Sequence, residues 1–82
     1  MKMTHHVKGF PLCFEEPVQD RAQAMRIIRN SYLLAKMFGT SLEKYNEENM
    51  FILNDERLIL TDEYLRNFKL EPEVMPKKNE KN

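Results

Sequence analysis

The spacing of apolar residues between Val18 and Phe38 constrains this chain more than any other feature. Val18, Ala22, Met25, Ile28, Tyr32 and Ala35 recur at three- and four-residue steps, the period of one side of a helix. Ala24, Ile27 and Leu34 widen that stripe, and Gln19, Gln23, Arg26 and Arg29 occupy the polar side. Ile28, Leu34 and Phe38 are expected in the core. Pro17 suits a first helical turn, and Glu15 and Glu16 complement its dipole. Asn30-Ser31 interrupts the pattern, so two readings are open. One helix runs from Val18 to Phe38, or two shorter helices meet at Asn30-Ser31. Gly39 closes the segment as a left-handed cap in either case.

The elements around this helix are short. Met1 to His6 is expected to be a flexible arm. Phe10, Leu12 and Phe14 alternate, so Val7 to Phe14 reads as a half-buried strand, and Pro11 places it at an edge. After Gly39, Thr40-Ser41-Leu42-Glu43 resembles a capping box with Thr40 as the cap. The helix it opens turns Leu42 and Tyr45 inward and Glu43, Asn46, Glu47 and Asn49 outward. Met50 to Leu53 and Arg57 to Thr61 read as a hairpin. Pairing apolar with apolar sets Leu53 opposite Leu58, Ile52 opposite Ile59 and Phe51 opposite Leu60. The loop from Asn54 lacks Gly, so it is expected to be wider than a two-residue primed turn. Thr61 caps a last helix, with Asp62 and Glu63 in its first turn and a staple between Leu60 and Leu65. Leu65 and Phe68 face the core. Pro72 ends that helix, and residues 71–82 read as a disordered tail.

Eighty-two residues make one domain with a modest core. Two Gly are too few for an all-β chain, so the expected class is α+β with residues 7–70 as its globular part. Thirteen basic residues balance thirteen acidic ones, which argues against avid non-specific nucleic-acid binding. Their distribution is uneven. Residues 1–39 carry six Lys/Arg against three Asp/Glu, and residues 40–70 carry four against seven. The single Cys13 excludes an internal disulfide. No apolar run approaches the ~20 residues of a membrane span, and no signal-peptide core is present. A cytoplasmic location is expected, or a nuclear one in a eukaryotic host or for a virus within it.

The segment 32–70 resembles the excisionase-like, MerR-type winged helix-turn-helix. The matching residues are Ala35, Gly39 and Ser41 at the turn, Leu58-Ile59-Leu60 in the hairpin, and Thr61-Asp62 with Leu65 and Phe68 in the last helix. The resemblance implies a DNA-binding fold, with the hairpin as wing and the recognition helix on residues 41–49. This chain departs from the family there: Glu43, Glu47 and Glu48 would face phosphate, and only Lys44 is basic.

Other constellations carry less. His5-His6 and Cys13 match no zinc spacing and lack a fourth ligand, so no metal or cofactor is expected. Glu15-Glu16 and Glu47-Glu48 are adjacent pairs in polar contexts, without an apolar pocket to tune a general acid. Neither a nucleophilic set nor a phosphate-binding Gly loop exists, so an enzyme is not expected, nor a small-molecule substrate. The expectation is a regulatory protein: a winged-helix-type DNA-binding or transcription-accessory factor contacting DNA through Arg26, Arg29, Lys36, Ser41 and Lys44. The contrasting reading is a protein–protein inhibitor or adaptor. It would set Glu43, Glu47 and Glu48, on the acidic 40–49 face, against a basic partner in a larger complex.

Overall fold

The computed structural model describes residues 1–69. Its elements are β1 (Lys2–Val7), β2 (Cys13–Pro17), α1 (Arg21–Met37), α2 (Leu42–Glu48), β3 (Asn49–Leu53), β4 (Glu56–Leu58) and α3 (Asp62–Lys69). The strands form one antiparallel sheet in the order β2-β1-β3-β4. The α+β class stands. The expectations for the tail 71–82 and for the Phe68 side chain lie outside what is described.

The segment expected as a flexible arm is an inner strand. β1 pairs with β2 on one side (Met3 opposite Glu16) and with β3 on the other (Met3 opposite Leu53). Alternate side chains along a strand share a face. Met3, His5 and Val7 therefore point the same way as Phe51, Leu53 and Leu58. Two histidines disguise the period-2 pattern. His5 is satisfied in this setting: its ring stacks on Phe51 with centroids 4.2 Å apart, and Nε2 lies 2.8 Å from Asn49 Oδ1. The chain between Val7 and Cys13 turns rather than extends. Gly9 has φ +80, and the Phe10 N–H donates to Val7 O. The expected strand over Val7–Phe14 is thus a turn leading into β2. Its edge position holds, and Pro17 sits at its end, where a missing N–H is tolerated.

One continuous helix, α1, resolves the two readings of the Val18–Phe38 segment. It starts at Arg21 rather than Val18, because Asp20 caps it by accepting the Gln23 N–H at 2.8 Å. Val18 instead joins the core, and its N–H donates to Met1 O. At the other end Gly39 (φ +94) donates to Lys36 O, and Thr40 donates to Ala35 O. This is the paired bonding of a Schellman cap. Ser41, not Thr40, then caps α2 by accepting the Lys44 N–H at 3.2 Å.

The β3–β4 hairpin also departs from expectation. Asn54 and Asp55 form a two-residue loop with φ of 53 and 66, a left-handed pair that Asn and Asp tolerate better than most side chains. The register is Phe51 opposite Leu58, Ile52 opposite Arg57 and Leu53 opposite Glu56. The tighter turn shortens the pairing but preserves its faces, so Phe51, Leu53 and Leu58 still line the core. The hairpin is the far half of the main sheet, because β3 is bonded to β1.

The core forms between α1 and this sheet face. Ala24, Met25, Ile28 and Tyr32 of α1 meet Met3, Phe51, Leu53 and Leu58, joined by Val18, Tyr45 and Leu60. Tyr45 of α2 packs edge-on to Tyr32 and over Phe51. Thr61 caps α3 by accepting the Tyr64 N–H, as expected, and Leu60 and Leu65 both belong to the apolar cluster. The prediction of burial holds for Ile28 and fails for Leu34 and Phe38, which are 60% and 83% exposed.

Candidate functional site

Of the residues expected to contact DNA, Arg26, Arg29 and Lys36 lie on α1, and Ser41 and Lys44 lie at the start of α2. Arg26 and Lys36 are exposed on α1. Arg29 is half-buried, and its Nη2 donates to Asn30 Oδ1 at 2.6 Å. The Ser41 hydroxyl is engaged as the α2 cap, and Lys44 is exposed one turn later.

The acidic trio lies on α2, with Glu43 and Glu47 one turn apart. Glu43 is exposed in the first turn of α2. Glu47 is paired with Lys8 at 3.5 Å. Glu48 is half-buried, and its backbone carbonyl accepts the Lys8 N–H at 2.8 Å. Glu47 and Glu48 line an open depression of about 220 Å3 with His6, Lys8, Met50 and Arg57. That is below the ~300–1,000 Å3 of ordinary small-molecule sites. Among the described residues no three of His, Cys, Asp and Glu converge as a metal site. His5 and His6 point to opposite sheet faces, as neighbours in a strand must. Among the described residues no helix is long and apolar enough to cross a membrane.

A different surface stands out. Leu33, Leu34, Met37 and Phe38 are 42%, 60%, 79% and 83% exposed at the end of α1. Ala24, Ile28 and Tyr32 point into the core, so these four fall on the helix's outer side. From Tyr32 onward α1 is apolar nearly all round: only Lys36 is polar before the cap. A helix with that pattern is normally covered on every side, yet the described residues cover one. The adjacent charges share one sign. Arg21, Arg26, Arg29 and Lys36 are the ionised groups of α1, and no Asp or Glu lies between Arg21 and Met37. Arg21 reaches Glu56 at 3.7 Å in an exposed ion pair between the helix start and β4. A second apolar cluster lies around the β1–β2 turn, where exposed Phe10 and Phe14 stack with centroids 5.5 Å apart.

Sequence periodicity misses the outer surface of α1 because it reads Leu34, Met37 and Phe38 as more core. The available signal was the run Tyr32-Leu33-Leu34-Ala35, which is too wide for one buried side.

Tyr45 links the two helices at the base of this surface. Its hydroxyl donates to Ser31 Oγ at 2.7 Å. Burial pushes the phenol above its ordinary value, and the Ser31 bond offsets part of that rise. The Asn30-Ser31 interruption in the apolar pattern thus supplies an α1–α2 tie. Comparison of the chain with protein families, with curated proteins and with solved structures finds no match in any of the three.

Proposed function

We propose that this chain is a non-enzymatic protein-binding domain, an adaptor or inhibitor that works through the outer side of α1. The supporting observation is the exposure of Leu34, Met37 and Phe38 together on a helix rigidly held by its other side. Contiguous apolar exposure of this kind marks interaction surfaces. Anchors on a rigid helix lose little conformational freedom on binding. The surface lies beside the acidic α2 rather than on it. The proposal therefore moves the contact from Glu43, Glu47 and Glu48 to α1.

The DNA-binding reading keeps one support of its own. The Gly39 turn and the Ser41 cap join α1 to α2 in the element order of the resemblance, and Lys44 is exposed on the second helix. Against it stand Glu43 and Glu47 on the same helix, which would oppose phosphate.

Site-specific photo-crosslinking separates the two. A photoreactive side chain is placed at Met37, at Lys44 and, as control, at exposed Glu63, in cells of the native host. The proposal expects a discrete, nuclease-resistant protein adduct from Met37 alone. Nuclease-sensitive adducts concentrated at Lys44 would reverse the ranking.

A further inference from the structure

We infer that the occupant of the outer α1 surface is an acidic amphipathic helix of a partner protein; this rests on the protein-binding reading above. Two observations carry it. The first is shape. Leu33 and Met37 are four apart, Leu34 and Phe38 are four apart, and Arg26 lies two turns before Leu33 on the same row. Rows of this kind form the ridges and grooves into which a second helix packs. From Arg26 to Phe38 the surface is roughly 18 Å long at ~1.5 Å per residue, matching about three turns of an incoming helix.

The second is charge. Every ionised side chain of α1 is a cation, with exposed Arg26 and Lys36 beside the apolar row. A partner helix carrying Asp and Glu beside its own Leu or Phe anchors would meet those cations with opposite sign. A second copy packing α1 against α1 would set cations against cations in either direction, since α1 itself carries no carboxylate. The same positive charge disfavours a basic amphipathic helix.

The test uses the full-length isotope-labelled protein and three synthetic peptides of about four helical turns. One has Leu and Phe at i, i+3, i+4 and i+7 and Asp/Glu elsewhere. The second replaces each acid with Lys. The third keeps the acidic composition but scatters the apolar residues. Affinities come from fluorescence polarisation at two salt concentrations, and the bound surface from chemical-shift changes. The inference expects the acidic amphipathic peptide to bind about tenfold or more tighter than either control. It also expects the margin over the basic peptide to shrink in high salt. Shifts should centre on Leu34, Met37 and Phe38. The Arg26→Glu/Lys36→Glu variant should reverse the charge preference, and Met37→Ser/Phe38→Ser should remove binding while leaving the melt in place, since both side chains face solvent. Equal or tighter binding of the basic peptide at the same residues would overturn the acidic partner and leave the protein-binding reading standing. Concentration-dependent dimerisation in sedimentation that protects those residues would assign the surface to a second copy instead. Silence at Leu34, Met37 and Phe38 with all three peptides would remove the protein-binding reading as well.

Discussion

At the scale of single residues, two polar side chains tie the small core together. Tyr45 reaches Ser31 from a buried position, and desolvation raises its pKa above 10.0. A group raised in the folded state contributes stability that is fully present below its unfolded value and is lost as pH rises through the folded one. Stability should therefore hold to about pH 10 and fall above it. Urea midpoints measured from pH 7 to 11 should show the fall, and Tyr45→Phe should make it shallower. At neutral pH that variant should lose about 0.5–1.5 kcal/mol with the Ser31 bond. An unchanged alkaline slope would remove Tyr45 from the account. Asn46 has a comparable role between α2 and the chain beyond β4. Its Nδ2 donates to Leu60 O at 2.8 Å, and its Oδ1 accepts the Leu60 N–H at 3.4 Å. Leu60 is almost fully buried, so Asn46→Ala strands both backbone groups away from water. A loss of about 1–3 kcal/mol is expected by denaturant titration, and Asn46→Asp, which keeps the acceptor alone, should fall between. In the sequence Asn46 reads as polar surface and Tyr45 as an inward-facing ring, and neither polar atom has a visible partner. Only the packing around them gives them partners.

At the scale of elements, capping and turn chemistry decide the boundaries. Asp20, Ser41 and Thr61 each accept a backbone N–H three residues on, and Gly39 ends α1. Thr61 and Gly39 were legible because their chemistry is local. The α2 cap was displaced by one residue, since Thr40 and Ser41 are both competent and the Schellman bond engages the Thr40 N–H. The Asn54-Asp55 turn is tighter than the absence of Gly suggests, because Asn and Asp enter the left-handed region at a cost that the two-residue geometry can absorb. That cost is testable. Asp55→Gly should raise stability by roughly 0.5–1 kcal/mol, and Asp55→Val should lower it by about 1–2 kcal/mol. A thermal melt of each variant reads the two signs. Identical melts would mean that Asp55 is not held at φ 66.

At the scale of the whole molecule, the N-terminal strand holds the sheet together. β1 is bonded on both sides, and Met3 is 1% exposed among Leu53 and the α1 residues. Met3→Ala should cost about 2–5 kcal/mol, a large share of the roughly 4–12 kcal/mol expected of a chain this size. Removing residues 1–6 should abolish the cooperative transition, because β2 would be cut off from the sheet and β3 would keep only β4. By contrast, Phe38→Ser should change stability by no more than about 0.5 kcal/mol. Differential scanning calorimetry of the three variants ranks them. A truncated chain that still melted cooperatively would return the segment to the status of an arm.

The sequence by itself determined that this chain is α+β, that a helix ending at Gly39 dominates it, that a hairpin follows, expected over Met50–Leu53 and Arg57–Thr61 and found at Asn49–Leu53 and Glu56–Leu58, and that Thr61 opens a last helix. These follow from local causes: periods of 3.6 and 2, side-chain caps, and the conformational freedom of Gly. What only the tertiary structure decided has non-local causes. The strand value of Lys2–Val7 depends on Phe51 and Asn49 accepting His5, a pairing across more than forty positions that no window along the chain contains. The exposure of Leu34, Met37 and Phe38 depends on which side of α1 the sheet covers. Periodicity shows which residues share a side of a helix, but coverage is set by how many layers the chain can build. The described residues build one sheet under α1 and leave its outer apolar side to meet solvent or a partner.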